Sequence, residues 1–171
     1  MKYKIEFFDY WHLGSGMSAG AKLDSLVVKE KGLPYVPGKT VKGLLRDMVE
    51  DIDSAKVAKV FGSKGSDMSE NYFSNATVSD STEKHLLLNK HLVKHLYSSI
   101  SSTKIEKNGI AKDSSLREIE VVVPLTLYGE IECIDEDTET LLVDAMSMIK
   151  QIGLNRNRGL GRCQFKRVKN D

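Results

Sequence analysis

The sequence PGKTVKGLLRDMVEDI, residues 37–52, carries a nearly faultless helical pattern. Its apolar residues keep the spacing of three and four that places side chains on one helix face, at Val41, Leu44, Leu45, Met48, Val49 and Ile52. The basic residues Lys39, Lys42 and Arg46 recur on the other side. The pattern predicts a helix that packs its apolar stripe on a sheet and turns a basic stripe outward.

Further elements are predicted on both sides of this helix. They lie at residues 3–7 (strand), 117–134 (a hairpin interrupted at Gly129), 135–152 (a helix that ends at Gly153) and 163–168 (strand). The helix at 135–152 has acidic residues at its start, where anions are favoured, namely Asp135, Glu136, Asp137 and Glu139. The order strand, helix, sheet, helix, strand is typical of an α+β sandwich of the ferredoxin-like kind, with two helices on one sheet face. We expect one domain over residues 1–171, with a polar insertion of little regular structure at about 62–115.

Charge is sorted along the chain, although the formal net charge is only +1. Residues 153–171 contain six Lys or Arg and one Asp, whereas residues 130–144 contain seven carboxylates and no Lys or Arg. The acidic run is interpreted as a solvated face. The basic run is interleaved with glycine, which favours a ligand-binding role.

Cysteine usage and hydropathy point to a cytoplasmic protein. Cys133 and Cys163 have no CxxC spacing, so neither a disulfide framework nor a cysteine zinc site is expected. The N-terminus has no apolar signal core, and no window approaches the roughly 20 apolar residues of a membrane span. A membrane is therefore not expected among the partners.

The basic run begins with GLNRNRGLGR at residues 153–162. Glycine lets a backbone approach a ligand closely, and the guanidinium fork of arginine suits phosphate oxygens. This pattern predicts that the segment binds a nucleic-acid backbone. The residues involved are Gly153, Arg156, Arg158, Gly159 and Gly161.

Nucleotide-binding and metal-binding motifs are incomplete in this sequence. Gly38-Lys39-Thr40 resembles the end of a P-loop, but the preceding glycine, Gly32, is one residue too far away, and the intervening prolines remove backbone donors. His91 and His95 share a helical spacing but lack the glutamate of a zincin motif. Nucleotide hydrolysis and a zinc site are both disfavoured.

Two residues near the N-terminal glycine-rich loop have catalytic chemistry. His12 follows the first strand and could act as a general base or a ribose contact, or serve as a partly buried structural histidine beside Trp11. Asp24 follows the loop and could be an ordinary turn residue or a catalytic carboxylate. Residue chemistry alone leaves these alternatives open.

Four ordered segments of the chain resemble RAMP-superfamily CRISPR proteins. Residues 32–46, GLPYVPGKTVKGLLR, are similar to the PYIPGSSLKGxLR signature, and residues 60–63 and 75–80 to the following FG and SDA segments. Residues 105–112 and 116–121 resemble the IDRxTGxA and LRxIEVV region of the repeated backbone subunit of type III interference complexes. The C-terminal glycine-arginine loop completes the resemblance.

The resemblance implies a modified RNA-recognition fold that assembles along a guide RNA. The expected partners are guide RNA, target RNA, copies of the same chain and other subunits of a type III complex, and the insertion at 62–115 is the candidate thumb. Guide contacts are expected at Gly38, Lys39, Lys42, Arg46 and Arg117, at the C-terminal loop residues named above, and at His12. Asp24 matches the family aspartate that cleaves target RNA with Mg²⁺ or another divalent metal, leaving a cyclic phosphate and a 5′-hydroxyl; the metal ligands are not identified.

Two alternatives remain within the same superfamily. The chain could be a guide-binding scaffold without chemistry, since the loop before Asp24 departs from the family pattern. The family often has Gly-Gly and an aliphatic residue before the aspartate, whereas this chain has Gly20-Ala21-Lys22-Leu23. It could also be a metal-independent guide-processing endoribonuclease that uses His12 as general base.

Overall fold

The computed structural model describes residues 1–17, 23–62, 71–103, 105–106, 109–110, 115–133 and 135–168. Within these ranges lie eight strands: β1 (Lys2–Phe7), β2 (Lys29–Glu30), β3 (Leu33–Pro34), β4 (Tyr72–Phe73), β5 (Tyr97–Ser102), β6 (Arg117–Val122), β7 (Thr126–Glu132) and β8 (Cys163–Arg167). The helices are α1 (Gly38–Asp53), α2 (Val57–Phe61), α3 (Asp80–Leu88), α4 (Lys90–Val93) and α5 (Glu136–Met148), with short 3-10 turns at Ser54–Lys56, Lys94–Leu96 and Arg156–Arg158.

The main sheet has the strand order β4-β7-β1-β8, and every neighbouring pair is antiparallel. In its centre Ile5 lies opposite Leu127 on one side and Phe165 on the other. Because α1 separates β1 from β4 in sequence and α5 separates β7 from β8, the order is that of a split βαβ sandwich. The predicted ferredoxin-like α+β fold is confirmed.

Both predicted helices are present and cover one face of this sheet. Val41, Leu45 and Val49 of α1 are fully buried, as the periodicity of residues 37–52 predicts. Asp135 caps α5, because its carboxylate accepts the backbone N–H of Thr138 at 2.7 Å. The opposite sheet face remains polar and partly exposed, with side chains such as Lys4, Glu6, Tyr128, Gln164 and Lys166.

Two glycines do not have their predicted roles. Gly129 does not interrupt a hairpin but lies inside β7 opposite Tyr3, where a Cβ would collide with the phenol ring. The turn falls instead between β6 and β7, and these strands belong to different sheets. Helix α5 ends at Met148 rather than at Gly153, because Ile149 is already in extended conformation.

The prediction of little regular structure at 62–115 is wrong for its described residues. Strand β4 joins the edge of the main sheet, and Ala76 exchanges two backbone hydrogen bonds with Val36 at 2.9 and 2.8 Å. Ser79 then caps α3 by accepting the N–H of Thr82 at 3.3 Å. The segment ends in β5, which forms a second, two-stranded sheet with β6. Residues 63–70, 104, 107–108 and 111–114 of this range lie outside the described residues, and the thumb assignment stays a prediction.

Within the part of the chain that is described, no helix combines the length and apolar character required to cross a bilayer.

Candidate nucleic-acid interface

A groove of about 830 Å³ lies where α1, β6 and the C-terminal loop meet. We call it the central groove. Its lining residues include Leu44 and Met48 of α1, Arg117 and Ile119 of β6, Lys150, and residues 153–158. Four predicted contacts that are far apart in sequence, Arg117, Gly153, Arg156 and Arg158, therefore share one concave surface. Apolar walls and convergent guanidinium groups suit a phosphate-bearing ligand.

Close backbone packing fixes the C-terminal loop in place. Gly153 has φ of 101°, and a Cβ there would collide with the carbonyl of His12, which accepts the N–H of Leu154 at 2.9 Å. Gly161 has φ of 74° and leaves equally little room against the carbonyl of Ile152. The glycines therefore let the loop lie directly on the protein while the intervening arginines project outward.

The arginines of the loop are exposed on a short 3-10 turn. Arg156 and Arg158 occupy the turn, which starts at Asn155 in the left-handed conformation with φ of 58°. The N–H of Arg158 donates to the carbonyl of Asn155 at 2.8 Å, and the amide of Gln151 donates to the carbonyl of Arg156 at 3.1 Å. The backbone is thus held by hydrogen bonds, which leaves the guanidinium groups available to a ligand.

The basic residues of α1 do not line the central groove. Lys42 lies on the helix flank that faces β4, with its ammonium 5.9 Å from the ring of Phe73, and Arg46 is one turn further along the same flank. Lys39 is exposed at the start of the helix and lines a small separate hollow of about 190 Å³ beside Gly14. The groove side of the helix presents Leu44 instead.

Gly38 has a packing role in the structure. It is buried at the start of α1, and its N–H donates to the side-chain oxygen of Asn75 at 2.8 Å. A Cβ at this position would collide with the carbonyl of Phe73. Gly38 therefore brings the helix start close to β4, and its N–H is not free to hold a phosphate.

His12 is buried, with 1% of its surface exposed. One ring nitrogen, Nδ1, is 2.5 Å from the carbonyl of Glu120, and Nε2 is 3.0 Å from the hydroxyl of Ser25. A carbonyl can only accept, so Nδ1 carries the proton and Nε2 accepts from Ser25. Both ring nitrogens therefore form hydrogen bonds inside the protein, and neither is free to act as a general base or to contact a ribose. This arrangement is that of a structural histidine, the other interpretation of His12 from the sequence.

Asp24 is exposed beside the first residues of β6. Its N–H donates to the carbonyl of Glu118 at 2.8 Å, and its Oδ2 accepts the N–H of Glu118 at 2.7 Å. Glu118 follows Arg117, so the carboxylate lies next to the strand that contributes to the central groove. The Gly-rich loop residues 18–22 that precede it lie outside the described residues.

The described residues could hold a divalent ion only in a site that substrate phosphates and water complete, which is typical of Mg²⁺. No group of three or more His, Cys, Asp or Glu side chains converges anywhere in the described ranges, so no all-protein cage is preformed there. Mg²⁺ in nucleotide-processing sites is commonly held by one or two carboxylates together with substrate phosphates and water. Asp24 has the carboxylate for such a site.

An ionic cluster that the sequence did not reveal holds the segment that follows Asp24. Glu120 accepts the N–H of Val27 at 3.0 Å and the ammonium of Lys29 at 2.7 Å. Lys29 also lies 3.9 Å from the ring centre of Tyr97. Burial, and secondarily the charge of Glu120, raises the pKa of Tyr97, whose hydroxyl donates to the carbonyl of Gly32. This cluster fastens residues 23–29 to the second sheet.

Comparison with known proteins identifies the fold. A family model of the RAMP superfamily matches residues 4–164. A chain from the type III-B Cmr-beta bound to cognate target RNA, seen by cryo-EM, has a TM-score of 0.74 at 10% identity and covers 96% of this chain and 95% of that one. A chain from the apo state of type III-B Cmr-beta has a TM-score of 0.72 at 11% identity, with 99% and 97% covered. None of the curated proteins matches the chain.

Proposed function

Because the chain belongs to the RAMP superfamily, we propose that it is a guide-RNA-binding subunit of a type III CRISPR effector complex. The observation that carries the proposal is the convergence of Arg117, Arg156 and Arg158 on the central groove. Three arginines in one groove can contact successive phosphates, and such contacts hold RNA without reading its sequence. Guides of different sequence share only their backbone, so this mode of binding suits a guide-binding subunit.

The similar structures support the choice of complex and partners. One of them is described as a type III-B Cmr-beta bound to cognate target RNA. By analogy, this chain would bind guide RNA beside paired target RNA, next to copies of itself and other subunits of the complex. Lys39, Lys42 and Arg46 would then contact RNA outside the central groove, on the outer surface of α1.

The proposal extends to target cleavage by Asp24. Its carboxylate is exposed and accepts the N–H of Glu118, the residue after Arg117, and this proximity to the central groove supports the proposal. Within reach of a target phosphodiester, this carboxylate would accept the proton of the adjacent 2′-hydroxyl, whose oxygen would then attack phosphorus. The bond from phosphorus to the 5′-oxygen would break, and the departing 5′-oxygen would take a proton from water. A bound Mg²⁺ or other divalent ion would supply positive charge for the phosphate oxygens. The products of that reaction are a cyclic phosphate and a 5′-hydroxyl.

Purification of the tagged protein from its native cells, followed by sequencing of the RNA that accompanies it, tests the binding function. We expect guide RNAs with a common repeat-derived 5′ tag, recovered together with other subunits of a complex. Recovery of the protein from expressing cells with no enriched RNA would contradict the proposal.

Cleavage is tested separately with the reconstituted complex and a labelled complementary RNA. Asp24→Asn keeps the size of the side chain and removes its charge, so cutting should be lost while guide and target binding persist. Asp51→Asn, an exposed carboxylate near the end of α1, is a matched control that should leave cutting unchanged. Undiminished cutting by Asp24→Asn would remove Asp24 from catalysis, and a wild-type complex that binds without cutting in Mg²⁺ would indicate a scaffold.

The geometry of His12 argues against the guide-processing alternative. That mechanism requires an imidazole that reaches RNA, whereas His12 is enclosed and both nitrogens are already hydrogen-bonded. Cutting of repeat RNA by the isolated protein in EDTA would be the sign of such an activity.

A further inference from the structure

A second groove, of about 450 Å³, runs along the outer edge of β8, the last strand in the order of the main sheet. We call it the edge groove. It is lined by Phe8, Ser147, Ile149, Lys150, Arg162, Cys163, Gln164, Phe165 and Lys166. Of these, only Lys150 and Ile149 also line the central groove. The two grooves therefore form a continuous surface across Lys150.

The floor of the edge groove is apolar and contains an exposed aromatic ring. Cys163 and Phe165 are buried beneath it, whereas Phe8 is 45% exposed. The position of Phe8 is fixed, because its N–H donates to the carbonyl of Arg162 at 2.9 Å. The guanidinium carbon of Arg162 lies 5.9 Å from the centre of the Phe8 ring. The exposed part of this ring, whose backbone is held by the sheet, offers a surface on which a ligand ring can stack.

The rim of the edge groove is cationic. Lys150, Arg162 and Lys166 line the groove together with Phe8, and none of the described residues that line it is acidic. Arg162 donates from Nε to the carboxylate of Asp9 at 3.0 Å, and its side chain remains 64% exposed. Lys166 donates to the side-chain oxygen of Gln164 at 2.7 Å, a neutral partner that leaves its charge uncompensated.

We infer that the edge groove binds single-stranded RNA, with one base stacked on Phe8 and the neighbouring phosphates at Lys150 and Lys166. The combination of an exposed aromatic ring with a cationic rim is the general basis of sequence-tolerant binding to single strands. Bases inside a duplex are covered on both faces by their neighbours, so the ring selects an unpaired nucleotide. The inference rests on the proposed function and deepens it, because it extends the RNA path from the central groove over Lys150.

Fluorescence anisotropy with a labelled oligoadenylate of about 12 nucleotides, within the usual span of such surfaces, tests the inference on the full chain. Phe8→Leu keeps apolar bulk and removes the aromatic face, and Phe8→Trp restores it. Tyr72→Leu is the matched control, since Tyr72 is an aromatic residue 61% exposed on β4, at the opposite edge of the sheet. Thermal unfolding of each variant verifies that the fold is retained.

We expect Phe8→Leu to weaken binding at least about fivefold, the lower end of what removal of one stacked base costs. Phe8→Trp and Tyr72→Leu should bind as the wild type does. An abasic strand of the same length should bind Phe8→Leu and wild type equally. Equal affinity of Phe8→Leu and wild type for oligoadenylate would overturn the inference while leaving the proposed function intact. A wild-type protein that binds no RNA would overturn both.

Discussion

Replacing Arg156 and Arg158 together by alanine should change the salt dependence of RNA binding in a calculable way. Both side chains are exposed on the 3-10 turn that lines the central groove, and their backbone is held by hydrogen bonds that alanine preserves. The substitution therefore removes charge without removing the loop. Each phosphate contact contributes about 0.7 to the slope of log affinity against log salt for a single strand.

Loss of two contacts should flatten that slope by about 1.4. The ratio of the two affinities changes as the salt concentration raised to the power of this slope difference. When the salt concentration rises fourfold, the affinity of the wild type should therefore fall about sevenfold more than that of the double variant. Anisotropy titrations with one single-stranded RNA at several salt concentrations measure both slopes. At low salt the variant should also bind more weakly than the wild type.

A charge-matched control separates local contacts from the overall field of the protein. Lys84 and Lys90 are exposed on α3 and α4 and line neither groove. Replacing both by alanine removes the same net charge, and the slope should stay within about 0.3 of the wild-type value. An unchanged slope for the arginine variant, or an equal change in both variants, would refute the assignment of the phosphate contacts to the central groove.

Three further outcomes test the structure itself. Leu142→Ala should lower the free energy of unfolding by about 2–5 kcal/mol in urea titrations, because Leu142 is fully buried against the sheet; a smaller loss would contradict that packing. Burial raises the pKa of Cys163 to about 12. In a Cys133→Ser background, the Cys163 thiol should therefore react with a disulfide reagent at pH 8 only after unfolding. Rapid labelling of the native protein would contradict the burial of Cys163. The hydrogen bond from Lys59 is the main cause that lowers the pKa of Asp135. The resulting stabilisation should be complete above about pH 5 and decline as the pH falls below that value, and Asp135→Asn should remove this contribution to the pH dependence of unfolding.

The helices and the central strands could be predicted because their signals are local. In α1 the apolar spacing and the preceding proline lie within one segment, and the buried residues are those of the pattern. The acidic residues in the first turn of α5 likewise indicate where the helix begins, and Asp135 is its N-cap. The order of these elements then restricts the topology to very few solutions.

The prediction for Gly129 is wrong because a residue far away in sequence, Tyr3, requires a glycine at this position. A glycine between alternating apolar residues has the appearance of a turn. Here it makes room for the ring of Tyr3 on the neighbouring strand, whose hydroxyl donates to the carbonyl of Ser74 at 3.1 Å. The same limit applies to β4, since a strand of two residues leaves no alternation to read.

The candidate site was predicted in its parts but not in its arrangement. The phosphate-binding chemistry of the arginines in the C-terminal loop is visible in the sequence, whereas their proximity to Arg117 depends on how β6 packs. For α1 the helical spacing separates a polar from an apolar side, but it does not tell which flank faces a groove. In the structure Lys42 lies near Phe73, outside the central groove, whereas Met48 of the same helix lines that groove.

The most direct test of the account is to map where RNA touches the protein. Ultraviolet crosslinking of the RNA-bound complex, followed by mass spectrometry of the linked peptides, reports these positions without any substitution. The account predicts crosslinks in residues 117–119 and 153–158, which line the central groove. Crosslinks confined to the polar sheet face around Tyr128, or to α3 and α4, would contradict it.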